Sequence, residues 1–186
     1  MKHVNLNKSN WLLMLFALLL IAPTTLAKVR LPKLVSDKMV LQRDVELNIW
    51  GWASAGEKVT VRFNGAYYET EANSNGEWSV LLPPQKAGGP YLLEVNELKV
   101  RDVLVGDVWL CSGQSNQETP IVRLVDKFPE INVSNNHMIR HYKVPTQETT
   151  DGVQQEIAGN AVWHSGVASE VLNWTALAYF YAQEAY

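Results

Sequence analysis

Between Lys28 and about Arg101, apolar and polar residues alternate in short runs separated by turn-forming residues. Val45, Leu47 and Ile49 alternate with polar neighbours before the run becomes aromatic at Trp50 and Trp52, and residues 58–63 repeat the period of a half-buried strand. Asn64-Gly65 supplies a tight hairpin turn, after which residues 67–71 return. Further turn signals at 73–76, Pro83-Pro84, Gly88-Gly89-Pro90 and Asn96-Glu97 set apart runs at 78–82, 91–95 and 98–103. With Val40-Leu41 as the first, these seven or so strands predict a small antiparallel sandwich. Trp50, Trp52, Tyr67, Tyr68 and Trp78 read as core packing, the common fate of aromatic residues in strands, with an exposed sugar-binding platform as the alternative.

The pattern then changes. Val108 to Cys111 is an apolar run of strand character that breaks at small and polar residues. Thr119-Pro120 reads as an N-cap followed by proline at the first helical position, and Ile121, Leu124 and Val125 recur at helical spacing until Phe128-Pro129. Residues 138–144 predict another strand, 146–160 a long polar loop of the kind that often borders a site, and 174–186 a helix with Leu177, Phe180 and Tyr181 on one face.

The first 27 residues stand apart: Lys2 and Lys8 precede an apolar run from Trp11 to Ala22, and small residues follow up to Ala27. This is the layout of a secretory signal peptide cleaved after Ala27, and the run is short for a membrane span. The expectation is an exported, periplasmic or extracellular product that keeps no membrane anchor after cleavage. Of 186 residues, 47% are hydrophobic, enough for a packed core. Sixteen basic and nineteen acidic residues give a formal charge of -3 without a dense basic run, which argues against a nucleic-acid partner. The single cysteine, Cys111, has no partner for an internal disulfide and reads as a small buried hydrophobe. No Cys, His, Asp or Glu cluster has metal-ligand spacing and no phosphate-binding glycine loop occurs, so no cofactor is expected.

Candidate chemistry centres on Ser115, placed by the pattern just beyond a strand end, where open α/β sheets hold their sites. A serine hydroxyl becomes a nucleophile only with a base to take its proton and N–H donors for the oxyanion. Gly113 stands two residues before Ser115, but Gln117 replaces the second glycine of a nucleophile elbow. Gln114 and Asn116 flank the serine as candidate positioning or oxyanion groups, with solvent exposure and local capping as their plainer roles. A helix from Pro120 onward would add free N–H groups near the serine.

The segment Asp107-Val108-Trp109-Leu110-Cys111-Ser112-Gly113-Gln114-Ser115-Asn116 resembles the first sequence block of the SGNH (GDSL-like) hydrolases and, more narrowly, the sialate O-acetylesterase family. The resemblance runs from Leu31-Pro32 and the segment 37–42 to the aromatic helix at 177–186. It implies a β-rich N-terminal sandwich domain over 28–104, followed over 105–186 by the start of an α/β, flavodoxin-like three-layer hydrolase domain. It also implies Ser115 as nucleophile and an O-acetylated sugar as substrate. Where the family usually carries methionine, this chain has Gln117.

The later family blocks, a glycine, an asparagine and an Asp-x-x-His supplying the base, do not occur in the chain, so the expectation is an N-terminal portion lacking a C-terminal part. His137, His141 and His164 remain, none with an acidic motif to orient it. Three functions stay open: an esterase removing O-acetyl groups from sialic acid or related sugars, an acetyl-xylan type of polysaccharide deacetylase, and a non-catalytic carbohydrate-binding module.

Overall fold

The computed structural model describes residues 28–150 and 152–186; the expected signal peptide at 1–27 lies outside them. Seven strands come first: β1 (Val40–Gln42), β2 (Leu47–Trp52), β3 (Lys58–Phe63), β4 (Ala66–Glu71), β5 (Glu77–Leu82), β6 (Gly88–Val95) and β7 (Leu98–Gly106). They form a five-stranded sheet in the order β1-β7-β6-β3-β4 and a two-stranded sheet of β2 and β5. The period-2 pattern sends Leu47 and Ile49 of β2, Val59, Val61 and Phe63 of β3, and Trp78 and Leu82 of β5 into one core with Leu93, Val95 and Val103. Asn64 and Gly65 turn β3 into β4 with φ of 49° and 81°, the left-handed pair that a two-residue hairpin requires.

Two details depart from the sequence reading. Strand β1 pairs in parallel with β7, Val40 opposite Leu104, so the larger sheet is mixed rather than antiparallel. The chain leaves β1 for the other sheet, and no hairpin fixes its direction against β7. Gly88-Gly89-Pro90 opens β6 instead of preceding it, with register shifts against β7 at that point.

After β7 come 3-10 turns at Ser115–Glu118, Ile121–Arg123 and Pro129–Val133, then β8 (Asn135–Tyr142), β9 (Trp163–Val167), α1 (Ala168–Val171) and α2 (Ala176–Ala185). β8 and β9 pair antiparallel. A second core gathers Ile121, Ile131, Ile139, Val171, Trp174, Ala176 and Tyr179.

Four expectations for this region are corrected. Residues 108–111 are not a strand: β7 stops at Gly106, no neighbouring backbone pairs with 108–111, and Leu110 is 92% exposed. Apolar content makes a strand only where a ladder partner exists, and here the Val108 N–H donates to the Gln42 side chain instead, 2.9 Å away. Cys111 is exposed, not buried.

Thr119-Pro120 does not start an α-helix. The amides of Ile121 and Val122 donate to the carbonyls of Trp174 and Leu172 at 3.0 and 2.9 Å, and Ala176 N–H donates to Thr119 at 2.8 Å, so the local backbone is engaged across the fold. Finally, α2 turns Ala176 and Tyr179 inward, while Leu177 and Tyr181 of the expected inner face are exposed. Phe180 alone of that trio packs inward, against Phe128.

The two cores are joined by polar side chains. Arg140 on β8, its side chain only 2% exposed, makes a two-pronged ion pair with Asp102 on β7 at 2.8 and 2.9 Å. Lys38 meets Glu170 at 2.7 Å, and the Trp163 indole N–H donates to the Leu34 carbonyl at 2.8 Å.

Candidate active site around Ser115

Ser115 opens the first 3-10 turn, nine residues beyond the end of β7, and is exposed. The turn is closed by backbone alone: Gln117 N–H donates to the Gln114 carbonyl at 2.8 Å and Thr119 N–H to the Asn116 carbonyl at 3.3 Å. Gln114 sits in extended conformation before the turn, and no side chain caps it. Gln114 and Asn116 therefore flank Ser115 through their carbonyls, with both side chains exposed. One 3-10 turn has too few aligned peptides for the helix-dipole support expected after Pro120.

Two neighbours shape this turn. The indole of Trp109 packs edge-on to Tyr181 of α2 at 5.3 Å, tying the approach to the serine to the last helix. The Thr146 hydroxyl donates to Glu118 at 3.4 Å, so the long polar loop after β8 begins beside the serine turn. Among the described residues, the Ser115 hydroxyl has no hydrogen-bond partner, the three histidines included.

Gln117 carries the clearest local cost. Its amide nitrogen is buried without an acceptor, and its side chain lies against Gly113. A buried unpaired amide is destabilising, whereas a thioether of similar length has nothing to desolvate. Gln117→Met is expected to stabilise the chain by about 1 kcal/mol, a rise of roughly 2–4 °C in thermal midpoint. An unchanged midpoint would show that the amide finds a partner in solution.

The histidines take distinct roles. His137 is exposed, whereas His141 on β8 faces His164 on β9 and stacks on Trp174, ring centres 4.8 Å apart and planes 19° apart. Burial, with smaller contributions from His164 and Lys143, lowers the His141 pKa to about 4. His164 Nδ1 lies 3.5 Å from Glu170, an acid that sequence spacing gave no reason to pair with it because a strand end and a helix start bring them together. Burial pushes the Glu170 carboxyl up, but the Lys38 ammonium, the Ser165 N–H and His164 outweigh it and hold the pKa below its usual value.

The His141 shift has a defined sign. The unfolded chain takes up a proton near pH 6.5 and the folded chain only near 4, so stability present above pH 6.5 is lost as pH falls through that window. Lowering pH from 7 to 5 is expected to cost about 2 kcal/mol from this group, and His141→Phe, which keeps an aromatic ring over Trp174, should flatten that part of the urea-denaturation profile. An equally steep profile in the variant would assign the loss to another group.

Among the described residues no group of three His, Cys, Asp or Glu is placed to hold a metal ion, and no helix is long and apolar enough to cross a membrane.

No family model matches the chain. Pairwise comparison does find relatives: the chain is 30% identical over 151 residues to the sialate O-acetylesterase of Pongo abelii and 30% over 150 residues to that of Homo sapiens, covering in each case 72% of this chain and 29% of the relative. The crystal structure of a carbohydrate acetylesterase from Xanthomonas citri superposes with a TM-score of 0.80 and 39% identity, over 84% of this chain and 37% of that one. By sequence and by fold the chain belongs to the sialate O-acetylesterase family of esterases, spanning 29% of the length of the relatives from Pongo abelii and Homo sapiens.

Proposed function

We propose that this chain contributes the nucleophile-bearing part of an exported carbohydrate O-acetylesterase. The observation that carries the reading is the 39% identity to a carbohydrate acetylesterase at a TM-score of 0.80, across a chain that holds the Gly113-Gln114-Ser115-Asn116 block. In this reading residues 1–27 direct export, 28–104 form the sandwich domain, and 105–186 begin an SGNH-like three-layer hydrolase domain. The separation of the two buried clusters, one ending at Val105 and the other beginning at Ile121, supports that division.

The chemistry is acyl transfer. Ser115 Oγ attacks the acetyl carbonyl as a base takes its proton, the tetrahedral oxyanion collapses with loss of the sugar hydroxyl, and water then hydrolyses the acetyl-serine to acetate. Ser115 is exposed, which leaves it open to substrate, and in this reading its exposed chain neighbours Gln114 and Asn116 are the candidate positioning and oxyanion groups. The base comes from outside the described residues, consistent with a serine hydroxyl that has no partner among them.

The acceptor is either sialic acid or a neutral polysaccharide such as acetylated xylan. Acetate release from each by protein purified from its native source separates the two; release from neither overturns the esterase reading. That same unpartnered hydroxyl favours a second reading, a sugar-binding module without catalysis, which predicts binding and no acetate.

A further inference from the structure

Strand β2 puts two indoles on the side of its sheet that faces away from the core. Leu47 and Ile49 point inward opposite Leu82 and Val80, so Trp50 and Trp52, opposite Ser79 and Glu77, point outward. Between them Gly51 is required: a Cβ there would collide with the Arg30 carbonyl and lie 2.9 Å from the Trp78 ring. That close approach lets Arg30 and Trp52 exchange two backbone hydrogen bonds at 2.7 and 2.9 Å, which fixes Trp52. The two outward indoles meet edge to face, ring centres 5.0 Å apart.

A wall completes the feature. Exposed residues 153–155 of the long loop flank the indoles and form with them an open groove of about 360 Å³, within the size range of small-ligand sites. The loop is held immediately after that wall. Glu156 accepts from Arg30 and from the Lys33 amide, both at 3.2 Å, and the Lys33 ammonium donates to the Ile157 carbonyl at 2.7 Å. Arg30 itself lies over the Trp52 ring, 3.6 Å from its centre. An anchored wall needs little ordering on binding.

We propose that this cleft is a binding site for a neutral sugar ring of a glycan, separate from the serine turn. The indole surface that Arg30 leaves uncovered matches the C–H face of a pyranose, and the rim offers the groups that hydroxyls need: the Glu77 carboxylate, which also accepts from the Asn73 amide at 3.3 Å, and the Gln154 and Gln155 amides as donors and acceptors. Charge selects a neutral ligand. Glu77 is the ionisable group in the lining and has no cation partner among the described residues, and the nearby Arg30 is already paired with Glu156, so an anionic sugar meets a negative group without a counter-charge. The site shares with the proposed function only its sugar ligand and requires no reaction at Ser115.

The test is native electrophoresis of the Ser115→Ala chain through gels containing de-acetylated xylan, xyloglucan or polysialic acid, so that binding is read without hydrolysis. Retardation is expected in one or both neutral polysaccharides and not in polysialic acid. Trp50→Ala should abolish it. Gln155→Ala, an exposed loop change that leaves the fold intact, should weaken it at least threefold. Free migration in both neutral gels, preferential retardation by polysialic acid, or undiminished retardation of the Gln155→Ala and correctly folded Trp50→Ala proteins would overturn the site. Acetate release by the unsubstituted protein is scored independently, so loss of the cleft and loss of the esterase reading are separate results.

Discussion

Alanine at position 115 is expected to reduce acetate release from O-acetylated sugars by at least about 10⁴-fold in any preparation of this protein that shows the activity. The size follows from what the hydroxyl does. In the proposed reaction it forms the covalent bond that divides one difficult ester hydrolysis into two easier steps, and removing it leaves only the contribution of oxyanion donors and substrate positioning. Little structural change should accompany the loss, because Ser115 is exposed and its turn is closed by backbone bonds of Gln114, Asn116, Gln117 and Thr119. Near-identical melting curves with unequal rates would therefore isolate chemistry from folding. Rates within tenfold of each other would remove Ser115 as nucleophile and with it the acyl-enzyme route.

The second large effect concerns the ion pair between the cores. Asp102→Asn is expected to destabilise the chain by about 3 kcal/mol, the lower end for breaking one side of a buried pair, since Asp102 itself is 40% exposed. Asparagine keeps the shape and suits the left-handed backbone at this residue, φ 57°, so the measured change reports charge rather than strain. What remains is a guanidinium 2% exposed, still donating to the Ser165 hydroxyl at 2.9 Å but without its anion. The double change Asp102→Asn with Arg140→Met should recover most of the loss, because it removes the stranded charge. Urea denaturation of the four proteins completes the cycle; additive losses would show that the pair carries no coupling.

How far the sequence foretold this structure depends on what each segment packs against. The β-rich half was legible because alternation, Asn-Gly and Asn-Glu turns, and strand length all point the same way, and Val59, Val61 and Phe63 enter the core as their spacing indicates. The stretch 108–111 misled because apolarity signals burial without naming a partner strand. The 3.6-residue period of α2 gave the helix but not its inner side: with Leu177, Tyr179, Phe180 and Tyr181 all apolar, several faces satisfy the same pattern. The serine block was visible as a motif, whereas the pairing of His164 with Glu170 and the anchoring of the long loop by Arg30 and Lys33 depend on contacts across the fold. The five aromatic residues read as core packing divide between neighbours: Trp78 is buried and Tyr68 packs on the core, whereas Tyr67 is exposed and Trp50 with Trp52 point outward.

The backbone bonds that replace a helix after Pro120 also bear on the order in which the molecule takes shape. Ile121, Val122 and Thr119 are bonded to residues roughly fifty positions later, so closing this contact carries the entropy of a long loop and belongs to the slower part of folding. The sandwich, whose hairpins join near neighbours, has no such delay between β3 and β4 or between β6 and β7. During synthesis the segment carrying the serine emerges well before the stretch 172–176 that fixes its surroundings. The serine turn thus acquires its final surroundings only once the last part of the chain has folded back onto it.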